Sequence, residues 1–458
     1  MSEDSLALTT SYVLENATVL DGSAAMTPQP GRIVVVKGRT IAFVGSAQEA
    51  AETDVIPADA THVDLGGAYL MPGLVNLHAH LIGTGDEAGI ATPAGEPVGQ
   101  DARATLGVRN PAKLREFVRC ALQAQLRSGV TTLRDAGEHN SADIAARDAI
   151  EAGEFLGPRL IPAGNGITVP HGHASGTLSR VAHDAHEAVL YVRDFAQMGA
   201  GVIKLFVTGG VMDATKVGEP GVLRMSPQVT AAACDEAHRL GLPVMAHVEG
   251  TEGVKVALEC GVDTIEHGAP MTPEIVALYK TRGSSVTCTI SPAVAIADVS
   301  AREPNASEML VTNARIVAAG IVKSARQALE NGITVGLGTD SSCPYITQYD
   351  MWRELAYFHA YTGVSTAFAL HTATQVNAGV LGLGKVTGTV APGFDADLIA
   401  CAKNPLDDLS ALRDLTMVMT RGTMAADLPL PRLAPIDELL DNLLANLPRL
   451  SEEIAPLA

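Results

Sequence analysis

Apolar residues fall into two rhythms along this 458-residue chain. Near the N-terminus, short β-type runs are punctuated by Gly, Pro and Asp: Tyr12-Val-Leu-Glu-Asn-Ala-Thr-Val-Leu, Arg32-Ile-Val-Val-Val and Thr40-Ile-Ala-Phe-Val. Such runs predict an antiparallel sheet. The same texture returns at Gly388-Thr-Val-Ala-Pro-Gly-Phe-Asp-Ala-Asp-Leu-Ile-Ala and Thr416-Met-Val-Met-Thr-Arg-Gly, so both chain ends are expected to build one small β-sandwich. Between them, strand and helix signals alternate for roughly 300 residues. Strands are predicted at 73–80, 129–135, 159–163, 201–207, 243–248, 263–267, 285–290 and 334–340, with helical periodicity in segments such as 111–128 and 183–198. Eight βα units of this length predict an α/β protein with a (β/α)8 TIM barrel, whose active site gathers at the C-terminal strand ends.

The expected layout is 1–70 and 385–430 for the two parts of the sandwich, 71–384 for the barrel and 431–458 for a helical tail. In that tail, apolar residues at 436, 439, 440, 443, 444 and 447 form an i, i+3, i+4 stripe, opened by Pro435 and broken by Pro448. It is expected to pack on the barrel or on a sister subunit, in keeping with a homo-oligomer. The Gly-rich, sparsely charged run from Leu81 to Asn110 is longer than ordinary βα loops and reads as a substrate lid.

Composition narrows the class. At 47% apolar and 18% charged, the chain can bury one large core and a satellite. A net charge of −19 argues against a nucleic-acid or anionic-membrane partner and favours solubility; the partner expected is a small-molecule substrate. The acidic start, Met1-Ser-Glu-Asp-Ser, lacks the basic and apolar regions of a signal peptide, and no run of about 18 apolar residues marks a membrane span. The six cysteines are scattered without a Cys-x-x-Cys, as expected of reduced thiols in a cytoplasmic protein. Cys343 alone draws interest, three residues past Asp340.

The chemistry sits at the predicted strand ends. Tyr69-Leu-Met-Pro-Gly-Leu-Val-Asn-Leu-His-Ala-His80 closes an apolar run with His-x-His, and residues two apart on a strand project the same way, so His78 and His80 can close on one ion. A bare His-x-His is weak, but Lys204, His247, His267 and Asp340 follow at later strand ends, in order. Together the six make the ligand set of a two-metal hydrolase. Nitrogen and oxygen donors without thiolate suit Zn²⁺, with Mn²⁺ or Co²⁺ as alternatives. A lysine in Gly201-Val-Ile-Lys-Leu-Phe-Val is too deep in an apolar run for an ordinary surface residue. His139 follows the second strand, and His171 and His173 the third, so all three are candidates for contacts to substrate on the functional rim, His139 and His171 ahead of His173. Arg134, Arg159 and Arg224 are candidates to grip a carboxylate, with a structural ion pair as the alternative for the first two.

Over nearly its whole length the chain resembles the amidohydrolase superfamily. The resemblance is carried by Pro72-Gly-Leu-Val-Asn-Leu-His-Ala-His, Gly129-Val-Thr-Thr-Leu-Arg-Asp-Ala-Gly, Ile203-Lys-Leu-Phe-Val-Thr-Gly-Gly-Val-Met, Met245-Ala-His, Ile265-Glu-His-Gly, Leu337-Gly-Thr-Asp-Ser and Ala391-Pro-Gly-Phe-Asp-Ala-Asp-Leu. The Ile203 segment is most similar to the binuclear branch of prolidase-like and Xaa-Arg/Lys dipeptidases and ochratoxin-type amidases. The resemblance implies that His78, His80 and Asp340 hold a buried ion and His247 and His267 a more exposed one. It also implies a CO2-derived carbamate on Lys204 that bridges both ions. A metal-bridging hydroxide would then cleave an amide bond of a dipeptide or N-acyl amino acid, with Asp340 as general base and then general acid.

Two other classes stay open. A mononuclear cyclic-amide hydrolase (imidazolonepropionase-like) or deaminase is one, although deaminases of the superfamily place Glu three residues after the fifth-strand histidine, where this chain has Gly250. A catalytically dead binding protein on the same fold is the other. The acyl group, the leaving amine and the preferred chirality are not legible, because loop shape sets them.

Overall fold

The computed structural model describes residues 11–85, 110–176, 178–302, 307–426 and 428–450. Among them no helix is long and apolar enough to cross a membrane. Most of the expected lid, 86–109, lies outside the described residues. The chain divides into two compact units, one of Met1–Val75, Leu126–Thr131 and Ser365–Leu430, the other of Asn76–Gln125, Thr132–Val364 and Pro431–Ala458.

In the first unit, strands from both chain ends share one eight-stranded sheet. Its order is Thr423–Met424, Leu415–Thr420, Leu398–Cys401, Tyr69–Pro72, Ser11–Val19, Gln29–Lys37 and Thr40–Ser46, with Thr61–Asp64 joined to Ser11–Val19 off this path. The two ends meet where Leu398–Cys401 runs antiparallel to Tyr69–Pro72, Ile399 opposite Met71. Side chains alternate across the sheet, so Leu14, Val34 and Val36 join one apolar cluster and Val13, Ile33 and Val35 another.

The catalytic candidates lie on a parallel, TIM-barrel-like body. Leu74–Ala79, Val130–Asp135 and Arg159–Ile161 form a three-stranded sheet. Gly166–Thr168, Ile203–Phe206, Val244–Val248, Thr264–His267, Ser285–Cys288 and Val335–Leu337 follow in a seven-stranded one, edged by Ser179–Val181. Each of the eight predicted strand windows holds a strand. The third is short because Pro162 has no N–H for the ladder, and pairing to the next strand resumes only at Gly166–Thr168. The last strand returns to the first: Ala79 bridges Ser341 in parallel, and the Asp340 N–H donates to the His78 carbonyl at 2.8 Å. Gly338 permits this approach, since a Cβ there would lie 2.5 Å from the Cβ of His78.

Helices appear at Pro111–Arg127 and Ala185–Met198, close to the periodic segments, and the tail forms Ala434–Ala445 with Ile436, Leu440 and Leu443 buried. Arg353 anchors that tail. Its guanidinium, 1% exposed, pairs with Asp350 at 2.9 Å, with Asp437 at 3.2 Å and with Asp441. Removing one partner of a buried ion-pair network leaves uncompensated charge and costs about 3–5 kcal/mol. Arg353→Ala is therefore expected to lower Tm by at least about 5 °C and to expose the tail to proteolysis first. A melting curve that overlays the wild type would show that the network contributes nothing.

Candidate metal centre

His78, His80, Lys204, His247, His267 and Asp340 all line one cavity of about 400 Å³, and all are buried. Strand periodicity explains most of this. On the first strand His78 and His80 share a face. On the fourth, Lys204 and Phe206 point the same way, with Nζ 5.0 Å from the ring centroid. In register beside them, Lys204 faces Met245 and Phe206 faces His247. Two residues break the periodicity. His267 (φ 68°) and Asp340 (φ 51°) adopt left-handed backbone conformations, which cost a non-glycine residue of order 1–3 kcal/mol and persist where surroundings impose them. At His267 this turn lets consecutive residues, Glu266 and His267, both act inside the barrel.

The donor atoms converge. Asp340 Oδ1 lies 3.3 Å from His78 Nε2 and 3.4 Å from His80 Nε2. Ligand atoms of His78, His267 and Asp340 lie within 4.8 Å of one another, a spacing that can hold an ion. The far nitrogen of each ring is held elsewhere. Nδ1 of His78 meets Glu266 Oε2 at 2.7 Å, that of His80 meets the Gly137 carbonyl at 2.8 Å, and that of His267 meets Thr289 Oγ1 at 2.7 Å. A proton on Nδ1 leaves the Nε2 lone pair facing the centre. His247 is reversed, with Nε2 3.3 Å from the Gly209 carbonyl, so its Nδ1 is the free donor. Burial pushes His80 down to about 4 and His247 and His267 well below their ordinary range, keeping these rings neutral at pH 7. Burial pushes Asp340 up, but the surrounding imidazoles, His78 foremost, pull it well below the usual carboxylate range.

Lys204 stands apart. Its Nζ is fully buried and has no hydrogen-bond partner among the described residues. Burial pushes the amine down to about 8, against the pull of Glu266 and Asp340. An orphaned amine that gives up its proton far more readily than an ordinary lysine, beside histidine and carboxylate donors, fits a group that is converted to an oxygen ligand. The donor set as a whole, nitrogen and oxygen without thiolate at hydrogen-bonded rings, fits a divalent metal.

Several residues escaped the sequence reading. Glu266 links the Nδ1 of His78 to Arg134, whose Nη2 donates to Glu266 Oε1 at 2.8 Å. Arg134 is thus an internal ion-pair partner. Glu249, two residues past His247, lines the cavity with a shielded, unpartnered Oε2, and burial with Asp213 and Asp340 nearby pushes its carboxyl up to about 8. The same His-x-His logic applied to His247-Val-Glu249 was the available signal. Of the rim histidines, His173 reaches the cavity: it stacks on His247 at 4.2 Å and meets Asp213 Oδ1 at 2.6 Å. His139 and His171 are not brought to the cavity lining. His139 is buried, its N–H donating to Glu138, and His171 is exposed. Arg159 and Arg224 are likewise outside it. Cys343 does line it, but burial and Asp340 push its thiol well above its usual range, which keeps it protonated.

Residues 69–425 match the Amidohydrolase family. The chain belongs to this family. Among members similar to it is ochratoxinase from Aspergillus niger, 27% identical over 420 residues, covering 84% of this chain and 80% of the relative. A presumed prolidase from Bifidobacterium longum superposes with a TM-score of 0.81 at 32% identity, covering 95% of this chain and 99% of that one. A Xaa-Pro dipeptidase with bound methionine in its active site gives 0.77 at 27% identity, covering 91% and 100%. Amidohydrolases typically use metals, and the clustered donors of this chain supply candidate ligands.

The Lys204 amine carries a pH signature. Its proton is lost near 8 in the fold and near 10.5 in the unfolded chain. The unfolded state therefore binds more protons between these values, and stability rises with pH across that window. In the metal-free protein, Lys204→Met is expected to be more stable than wild type at pH 7.5 or so, with the difference shrinking as pH rises from about 8 towards 10.5. Denaturant titrations of both proteins at several pH values measure it. A gap that stays constant would mean Lys204 is not held as a desolvated amine.

Proposed function

We propose that this amidohydrolase is a binuclear metal-dependent hydrolase of an amide C–N bond in a dipeptide or N-acyl amino acid. The observation that carries this reading is the unpartnered amine of Lys204, buried among the His78, His80, His247, His267 and Asp340 donors. In this reading His78, His80 and Asp340 would hold one ion and His247 and His267 the other, and Lys204, carboxylated by CO2, would supply a further oxygen ligand. Two divalent ions, Zn²⁺ by the donor chemistry, would supply the acidified water and the polarised carbonyl on which hydrolysis of an unactivated amide depends. A mononuclear reading leaves the Lys204 amine without a role.

The chain's own residues do the rest. Asp340, a carboxylate at neutral pH, takes the proton of the attacking water and delivers it to the departing amine. Gly338 and the Asp340–His78 backbone bond hold it at the mouth of the barrel. Glu266, gripped by Arg134, fixes the tautomer of His78. The apolar wall of Pro292, Ile296, Val317 and Ile321 receives the apolar part of the substrate and keeps water from it. We further infer that the eight-stranded sheet is the small β-sandwich expected from the two chain ends. Support for an amide substrate comes from the similarity to ochratoxinase and to the prolidase and Xaa-Pro dipeptidase structures.

A panel of N-acyl amino acids and dipeptides, assayed with protein grown in excess zinc and bicarbonate, tests the reaction, and elemental analysis of the same sample should return close to two ions per chain. One ion per chain, or ring-opening of cyclic amides without dipeptide cleavage, would move the protein to the mononuclear class.

Asp340→Asn keeps shape and an oxygen donor but cannot take the proton. Its kcat is expected to fall by at least about 10³-fold with KM little changed and metal largely retained. Retention of more than a tenth of wild-type kcat would place the proton carrier elsewhere.

A further inference from the structure

Resting on the binuclear reading above, we propose that Glu249 is a metal ligand, supplying the third protein donor to the ion held by His247 and His267. The ligand atoms of His247, Glu249 and His267 lie within 4.8 Å of one another, as close a group as His78, His267 and Asp340. Glu249 Oε2 is shielded from solvent and has no hydrogen-bond partner among the described residues. A carboxylate oxygen withdrawn from water without a partner is costly, and a cation is the group that offsets it.

Position argues the same way. Glu249 follows His247 by two residues and lines the same cavity. Its backbone is fixed: the Glu249 N–H donates to Thr208 Oγ1 at 3.0 Å, and Gly221 packs so tightly that a Cβ there would lie 2.3 Å from the Glu249 carbonyl carbon. The neighbouring carboxylate, Asp213, is engaged through Oδ1 with His173 and the Gly210 N–H and has its own unpartnered Oδ2, but of the two acids it is Glu249 whose oxygen lies within 4.8 Å of the His247 and His267 donors. His247 is already oriented for this role, since its Nε2 faces the Gly209 carbonyl and its Nδ1 is free. Two imidazoles and one carboxylate are a sufficient protein set for a Zn²⁺ that keeps a position open for water or substrate. The outer ion thus has three protein donors before any bridge from Lys204 is counted.

Zinc titration against a competing chelator dye, with elemental analysis after dialysis, tests this on the full-length wild type, Glu249→Gln and Glu249→Ala. Groups that only support a ligand typically change metal affinity 10–100-fold, so loss of a ligand is expected to weaken one site by at least about 100-fold while the other ion stays bound. The retained ion and an unchanged circular dichroism spectrum report that each variant folds. Two ions bound by Glu249→Gln as tightly as by wild type would overturn the proposal. If that variant also showed a raised KM only for substrates bearing a free ammonium group, Glu249 would be a substrate contact. A wild type that binds a single ion sinks the binuclear reading but not this one, which then stands or falls on whether Glu249→Gln weakens that ion.

Discussion

A buried ion pair inside the barrel organises the centre. Arg134 on the second strand donates to Glu266 on the sixth at 2.8 Å, to the Leu77 carbonyl on the first at 2.7 Å and to Thr264 at 3.0 Å. Charges withdrawn from water are tolerated only when paired and hydrogen-bonded, and here each bond also spans two strands. Glu266 passes the constraint on by accepting Nδ1 of His78. The orientation of a candidate ligand thus depends on an arginine of the adjacent strand, acting through a carboxylate on the sixth.

The same economy recurs at the other rings. His80 is tied to a backbone carbonyl, His267 to Thr289 and His247 to the Gly209 carbonyl. Each partner comes from a neighbouring strand end, so the strand order of the sheet sets which nitrogen is free. The result is that the desolvated rings of His80, His247 and His267 stay neutral beside Asp340 and the buried Lys204 amine. Those three rings need no deprotonation before they bind a cation, which couples the fold directly to metal affinity. Left-handed backbone at His267 and Asp340 adds strain at two of the candidate ligands.

Regions outside the rings set what approaches them. Glu354, fully buried, accepts the backbone N–H groups of Ile290 and Ser291 at 2.8 Å and so holds the start of the helix Ile290–Arg302. That helix and Glu308–Glu330 present Pro292, Ile296, Val317 and Ile321 to the cavity. Asn313 donates to the Lys216 carbonyl and accepts the Gly218 N–H, pinning the loop that follows the fourth strand. An apolar wall on one side and carboxylates with His173 on the other give the cavity two chemically distinct faces.

The eight strand windows and the six ligand-type residues were legible in the sequence because local periodicity determines them: an apolar run that ends in His-x-His, or a lysine within Val-Ile-Lys-Leu-Phe, carries its meaning within a few residues. The family resemblance was legible for the same reason. Glu249 and Glu266 were not, since a carboxylate in a strand-end run takes its role from partners 132 to 188 residues away or from a cation, and only packing reveals either. The order among His139, His171 and His173 was also decided by the fold: His173 is carried inward to stack on His247, while His171, two residues earlier, faces solvent. The sequence by itself determined which six ligand-type residues stand at the strand ends and where the strands would run. Tertiary structure decided which nitrogen of each ring is free, how far the Lys204 proton is loosened and which carboxylates reach the centre, because those depend on burial and on partners distant in the chain.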